Sequence, residues 1–287
     1  MKSILGFTLF TALLLSSCKQ TTTSLSAAPR ILPGSCNIGK WTNLASPLNL
    51  KMSADFSTDY TNADLVGGLN PLEQMAKAWN DSVTPTTSFF QLPFAATATS
   101  GFAELSDFRD SELGIYKSFN WFPNVSSNAL AITLFYGVVR SDASLGTFID
   151  LTHADIIINY RDYAADFTMT GNPMIDYDVP TIVLHEMGHF LGLCHENSAN
   201  SIMAPYYFTT QRSLKTFDTN KIQALYLNNQ NYSAMTTKSS SKIISSGMAN
   251  GGAGAIPVGT EVKGIIELSA NGHCKHFING KLVHEHD

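Results

Sequence analysis

The stretch His185-Glu186-Met187-Gly188-His189-Phe190-Leu191-Gly192-Leu193-Cys194-His195 constrains this chain more than any other. Two histidines four residues apart share one side of a helix, so both imidazoles reach a single metal ion, while Glu186 sits beside them without being needed as a ligand. A helix does not readily aim a third ligand back at that ion. The chain must turn, Gly192 tolerates the turn, and His195 then completes a three-nitrogen set. Three protein ligands leave a fourth position open for water, the arrangement of catalytic zinc and not of structural zinc. The chemistry expected is attack by zinc-activated water, with Glu186 as the general base.

The surrounding pattern predicts a fold to carry that site. Leu48 to Met52 alternates like a strand. Asn70 followed by Pro71 opens a helix, and Leu72, Met75, Ala76 and Trp79 fall on one face of it. Two β-rich runs follow, Ala129 to Val139 and Ala154 to Tyr160; the continuous Ile156-Ile157-Ile158 suggests a strand covered on both faces. The metal-site helix starts near Asp178-Val179-Pro180-Thr181 and ends by Gly192. A further helix is expected with Asp218 as its cap and Ile222, Leu225 and Tyr226 at helical spacing. The sum is an α/β (α+β) domain: a mixed twisted sheet with an active-site helix and a C-terminal helix.

Domain boundaries follow from composition. Lys2, the apolar stretch from Ile4 to Leu15 and the small residues Ser16 and Ser17 read as an export signal, too short to span a bilayer as a helix. Leu15-Ser16-Ser17-Cys18 resembles the lipobox of bacterial lipoproteins, which implies lipid on Cys18. The expected localisation is therefore exported, anchored by lipid to a bacterial outer membrane or cell surface, or secreted. Residues 1–18 are then signal, 19–35 a flexible tether, 36–227 the catalytic domain, 228–257 a low-complexity linker, and 258–287 a small β-hairpin-like segment with turn signals at Asn271-Gly272 and Asn279-Gly280. Set against 18 Lys and Arg, 23 Asp and Glu make a mildly acidic chain without the basic patch of a nucleic-acid binder. Cys36, Cys194 and Cys274 leave the disulfide pairing open, and nothing specifies oligomeric state.

With its motif, the chain resembles the metzincin family of zinc peptidases, in which HExxHxxGxxH is followed by a Met-containing turn beneath the metal. Ser201-Ile202-Met203-Ala204-Pro205 is similar to that turn, and Met203, eight residues after His195 and followed by Pro205-Tyr206-Tyr207, looks most like the matrixin branch. The resemblance implies that Pro205 and Tyr207 wall the pocket for the residue after the cut bond, and that a strand of the domain pairs with extended substrate. It covers about residues 41 to 227. Glu196 matches the astacin branch instead, but Pro205 stands where that branch has tyrosine. Arg161 to Tyr177 lacks the His and Asp cluster of a second, structural zinc, so one catalytic Zn2+ is expected. The family's Cys-bearing pro-segment motif is also missing; Pro33-Gly34-Ser35-Cys36 reads as part of a structural disulfide and not as a thiolate that blocks zinc.

The expected function is a zinc-dependent endopeptidase acting on protein or peptide substrates, with a lipid-held membrane as its other partner. The alternative is a surface adhesion or binding protein that retains the zinc fold. His273, His276, His284 and His286 invite a metal reading, since His284 and His286 share one strand face, but a solvated polar end is the plainer expectation.

Overall fold

Asn70 starts the first helix as its sequence requires: its side chain accepts hydrogen bonds from the backbone N–H groups of Leu72 and Glu73 at 2.9 and 3.0 Å, and the Glu73 carboxylate returns to Asn70 N at 2.8 Å. This helix, α1 (Pro71–Asp81), buries Leu72, Met75, Ala76 and Trp79. The computed structural model describes residues 30–31, 39–44, 47–83, 88–142, 145–172, 174–196, 198, 201–227, 256–270, 272 and 274–286. The expected signal peptide, Cys18, most of the tether, Cys36 and most of the linker lie outside these residues, as does His273.

The main sheet is built on β1 (Leu50–Met52), β2 (Leu113–Ser118), β3 (Ala129–Asp142) and β4 (Gly146–Asn159). β1, β2 and β4 run parallel, and β3 runs antiparallel to β4. The triple isoleucine lies in β4, between β2 and β3. Ile156 and Ile158 enter the larger core cluster with the helices, while Ile157 enters a second cluster with Phe108, Tyr116, Trp121 and Phe122. Apolar packing on both sides explains why this strand has no alternation.

Helix α2 (Val179–Phe190) packs on α1 and on β3, and the Trp79 indole N–H donates to Leu184 O at 2.9 Å. Helix α3 spans Thr216–Tyr226, so Asp218 is its third residue and not the expected cap. The carboxylate still reaches back to Lys215 N at 2.9 Å, a capping role played from inside the first turn.

The C-terminal residues join the same sheet. Strands β5 (Glu261–Ser269), β6 (Cys274–Ile278) and β7 (Lys281–His286) continue it in the order β7-β6-β5-β3-β4-β2-β1. β5 pairs antiparallel with β3 from Glu261 opposite Val138 to Ser269 opposite Ala129. Asn279 and Gly280, at φ of 50° and 73°, make the tight turn between β6 and β7. Among the described residues no helix is long and apolar enough to cross a membrane.

Candidate metal centre

Asp178 precedes α2 and fixes its start, accepting from Thr181 N at 3.0 Å and from the Thr181 hydroxyl at 2.7 Å. One turn apart on this helix, His185 and His189 project together, and their rings pack edge to face with centroids 4.7 Å apart. The chain then turns at Gly192, whose φ is 93°. A Cβ there would stand 1.9 Å from Gly39 O, so glycine is demanded by contact as well as by conformation.

The turn brings His195 back. Its Nε2 lies 3.1 Å from Nε2 of His185 and 2.9 Å from Nε2 of His189. Two nitrogens each about 2.0–2.1 Å from zinc stand about 3.3–3.4 Å apart at a tetrahedral angle, so these two spacings are a few tenths of an ångström from the one a zinc ion sets. The opposite ring nitrogens of the helical pair are held by backbone carbonyls, His185 Nδ1 by Ile202 O at 2.6 Å and His189 Nδ1 by Leu193 O at 2.8 Å. Such bonds leave Nε2 as the metal-facing atom. Burial pushes His185 down to about 4 and holds His189 and His195 well below the usual histidine range, so all three are neutral, as metal ligands must be.

Glu186 is fully buried. Its Oε2 accepts from the Thr133 hydroxyl at 2.6 Å, while Oε1 has no partner among the described residues. Burial pushes the carboxyl up to about 8, against the pull of the Thr133 bond. Burial thus favours the protonated carboxyl, and a dication among three neutral imidazole nitrogens would favour the carboxylate, whose Oε1 is bare. The residues present therefore fit zinc.

Met203 lies under the helix: a Cβ on Gly188 would stand 2.2 Å from its sulfur. Its turn is tied down by Glu196 N donating to Met203 O at 2.8 Å and by the Ser201 hydroxyl donating to Asp218 at 2.5 Å, the second being the other task of that α3 carboxylate. Tyr207 lines a small cavity beside His185, with Thr181, Ile202 and Leu268. Pro205 is buried next to that wall in the chain without lining the cavity. Cys194 is disulfide-bonded, and Cys274 is free and buried, so the two do not pair with each other. Cys274 is not joined to Cys36 either.

Sequence reasoning expected C-terminal hairpin strands but missed Thr133 and the joining of those strands to the main sheet beside the metal site. His276, His284 and His286 are each at most 5% exposed, which overturns the expectation of a solvated end. His276 Nε2 stands 2.8 Å from His195 Nδ1, and the Cys274 sulfur 3.2 Å from the same nitrogen. His195, His276 and His286 also have nitrogens within reach of one ion, as do His185, His189 and His195. A signal was present: Cys274 and His276 on one strand, His284 and His286 on the next, alternate onto one face of a hairpin whose turn the sequence announces.

A sequence model of the family described as Peptidase_M10, Matrixin, matches residues 147–227. The chain is similar to an interstitial collagenase of Equus caballus, 40% identical over 67 residues, which are 23% of this chain and 14% of that protein. It is also similar to a stromelysin-3 of Xenopus laevis, 36% identical over 80 residues, 28% of this chain and 16% of that protein. The matched stretch thus spans about one-sixth or less of these relatives' own length.

Proposed function

We propose, from the premise that residues 147–227 make this chain a matrixin-like metzincin, that it is a zinc-dependent endopeptidase. The observation that carries the reading is the meeting of three imidazole Nε2 atoms beside a buried carboxylate. His185, His189 and His195 hold one zinc ion. A zinc ion in that place supplies the positive charge that acidifies water and polarises a peptide carbonyl.

The rest is the work of the chain's own groups. Thr133 fixes one oxygen of Glu186, so the carboxylate presents Oε1 in a single orientation. Glu186 takes a proton from water as the water oxygen bonds to the carbonyl carbon. It gives that proton to the amide nitrogen as the C–N bond breaks. Tyr207 and its neighbours shape the pocket for an apolar side chain after the cut bond. Met203 and Asp218 hold the floor on which the ligands rest. Binding zinc for adhesion alone would not call for Glu186.

The substrates in this reading are proteins or peptides in extended form, and the enzyme acts outside the cytoplasm, held by lipid on Cys18 or released. Zinc-loaded protein is expected to cut casein or gelatin in a chelator-sensitive way. Glu186→Gln is expected to lower that rate by about 10²–10⁴-fold with zinc retained. Cleavage at an unchanged rate in that variant would remove Glu186 from the role of base.

A further inference from the structure

Strand β5 is engaged on both of its edges. One edge pairs antiparallel with β3 along its whole length. The other pairs with β6 only from Gly264 to Ile266. Beyond that point Ser269 forms a parallel bridge with Tyr206, and Tyr207 N donates to Ser269 O at 3.0 Å. The residues Glu267 to Ser269 therefore run between β3, whose Thr133 holds Glu186, and the Tyr206-Tyr207 segment beside the metal site.

An extended peptide that enters a cleft by adding to a strand edge takes its main-chain bonds from the walls and its specificity from side-chain pockets. β5 meets both conditions. Leu268 is 2% exposed and lines the cavity formed by Thr181, His185, Ile202 and Tyr207, in which about 30 Å³ remains, room for about one or two waters and not for another side chain. The strands behind it cover the site: His276 meets His195 at 2.8 Å, and His185, Glu186 and His189 are at most 2% exposed.

We propose that Glu267–Ser269 occupy the substrate cleft of this chain as a bound peptide would, with Leu268 in the pocket for the side chain after the cut bond, so that the C-terminal strands hold most of the full-length protein closed, with a small open fraction active, until they are displaced. This rests on the endopeptidase reading above and adds the regulation of that site. The strand is an inhibitor and not a substrate because its own carbonyl is engaged: Glu267 O, which belongs to the bond ahead of Leu268, accepts from the Cys274 thiol at 2.8 Å. The second group of metal-competent nitrogens serves the same cover. Nε2 of His195 already belongs to the first group, and its Nδ1 faces His276 at hydrogen-bond distance, so His276 orients a zinc ligand where a separate ion would need that nitrogen bare.

The test uses the zinc-loaded full chain, Leu268→Asp and the milder Leu268→Ala, with two readouts. One is binding of a leucine-bearing peptide hydroxamate, which reports access to the metal cleft without turnover. The other is hydrolysis of a fluorogenic peptide with leucine after the cut bond. Emptying the pocket raises the open fraction, so the aspartate variant is expected to bind the hydroxamate and cut the peptide about 10- to 100-fold better than wild type, and the alanine variant by a smaller factor. Equal probe binding in wild type and both folded variants overturns the proposal. Mass spectrometry that finds the wild-type chain cut between Glu267 and Leu268 also overturns it. Tighter probe binding without hydrolysis leaves the latch standing and sinks the endopeptidase reading.

Discussion

Two histidine clusters meet at His195, and they are built differently. In the first, a helix and the bend after it bring Nε2 of His185 and Nε2 of His189 to 3.1 and 2.9 Å from Nε2 of His195, and backbone carbonyls hold two of the rings from behind. In the second, a two-stranded ribbon supplies His276, His284 and His286, and their nitrogens meet in pairs: His276 with His195 at 2.8 Å, His284 with His286 at 3.0 Å. Both clusters are buried. Both triads have nitrogens within reach of one ion, but His195 turns its Nε2 to the helical pair and its Nδ1 to His276, so the first makes a cage for an ion and the second a hydrogen-bonded cover. Burial and residue type alone do not tell the two apart.

Removing a nitrogen from each cluster gives the largest expected contrast. His189→Ala should purify with almost no zinc after dialysis. His276→Ala should keep its zinc and weaken affinity by about 10–100-fold, the usual cost of losing the partner that orients a ligand, as read by competition with a chromogenic chelator. If the two variants lose zinc equally, His276 is a ligand and the comparison fails.

The smallest effect concerns the strand that joins the clusters. Burial pushes Glu267 up to about 7, helped by Glu285 and opposed by Ser126 N and Lys275, and one of its oxygens has no partner among the described residues. A carboxyl whose docked pKa is raised favours docking fully below its ordinary value near 4.5, and this contribution is lost as pH rises through about 7. Hydrogen exchange of the β5 amides should therefore quicken between pH 5 and pH 8 beyond the intrinsic base dependence. Glu267→Gln should flatten that excess, and an unchanged pH profile in the glutamine variant would remove Glu267 as its source.

Legibility in the sequence followed how local each constraint is. His185, His189, Gly192 and His195 lie within one helix and one turn, so their spacing carries the geometry directly. Asn70 with Pro71, and Asp178 ahead of Thr181, announced helix starts through bonds that span only a few residues. The triple isoleucine told of a strand covered on both faces because pattern and burial are the same information there. Asp218 was harder: a carboxylate serves a helix start either as the cap, accepting from N–H groups of the first turn, or from the third position, accepting from the cap N–H, and its bonds to Ser201 and Ile202 come from 17 and 16 residues away. Thr133 and the hairpin histidines owe their roles to strand pairing across the whole chain. No spacing rule carries that, although the shared face of Cys274, His276, His284 and His286 was open to view.

In the proposed reading the helix cluster alone holds the ion. X-ray absorption on the zinc-loaded full chain distinguishes the ligand sets, since it sees the atoms around the metal whether or not the cleft is covered. One zinc per chain is expected, with histidine nitrogens at about 2.0–2.1 Å and no sulfur neighbour. A sulfur at about 2.3 Å, from Cys274, or a chain that takes up no stoichiometric zinc, would contradict it.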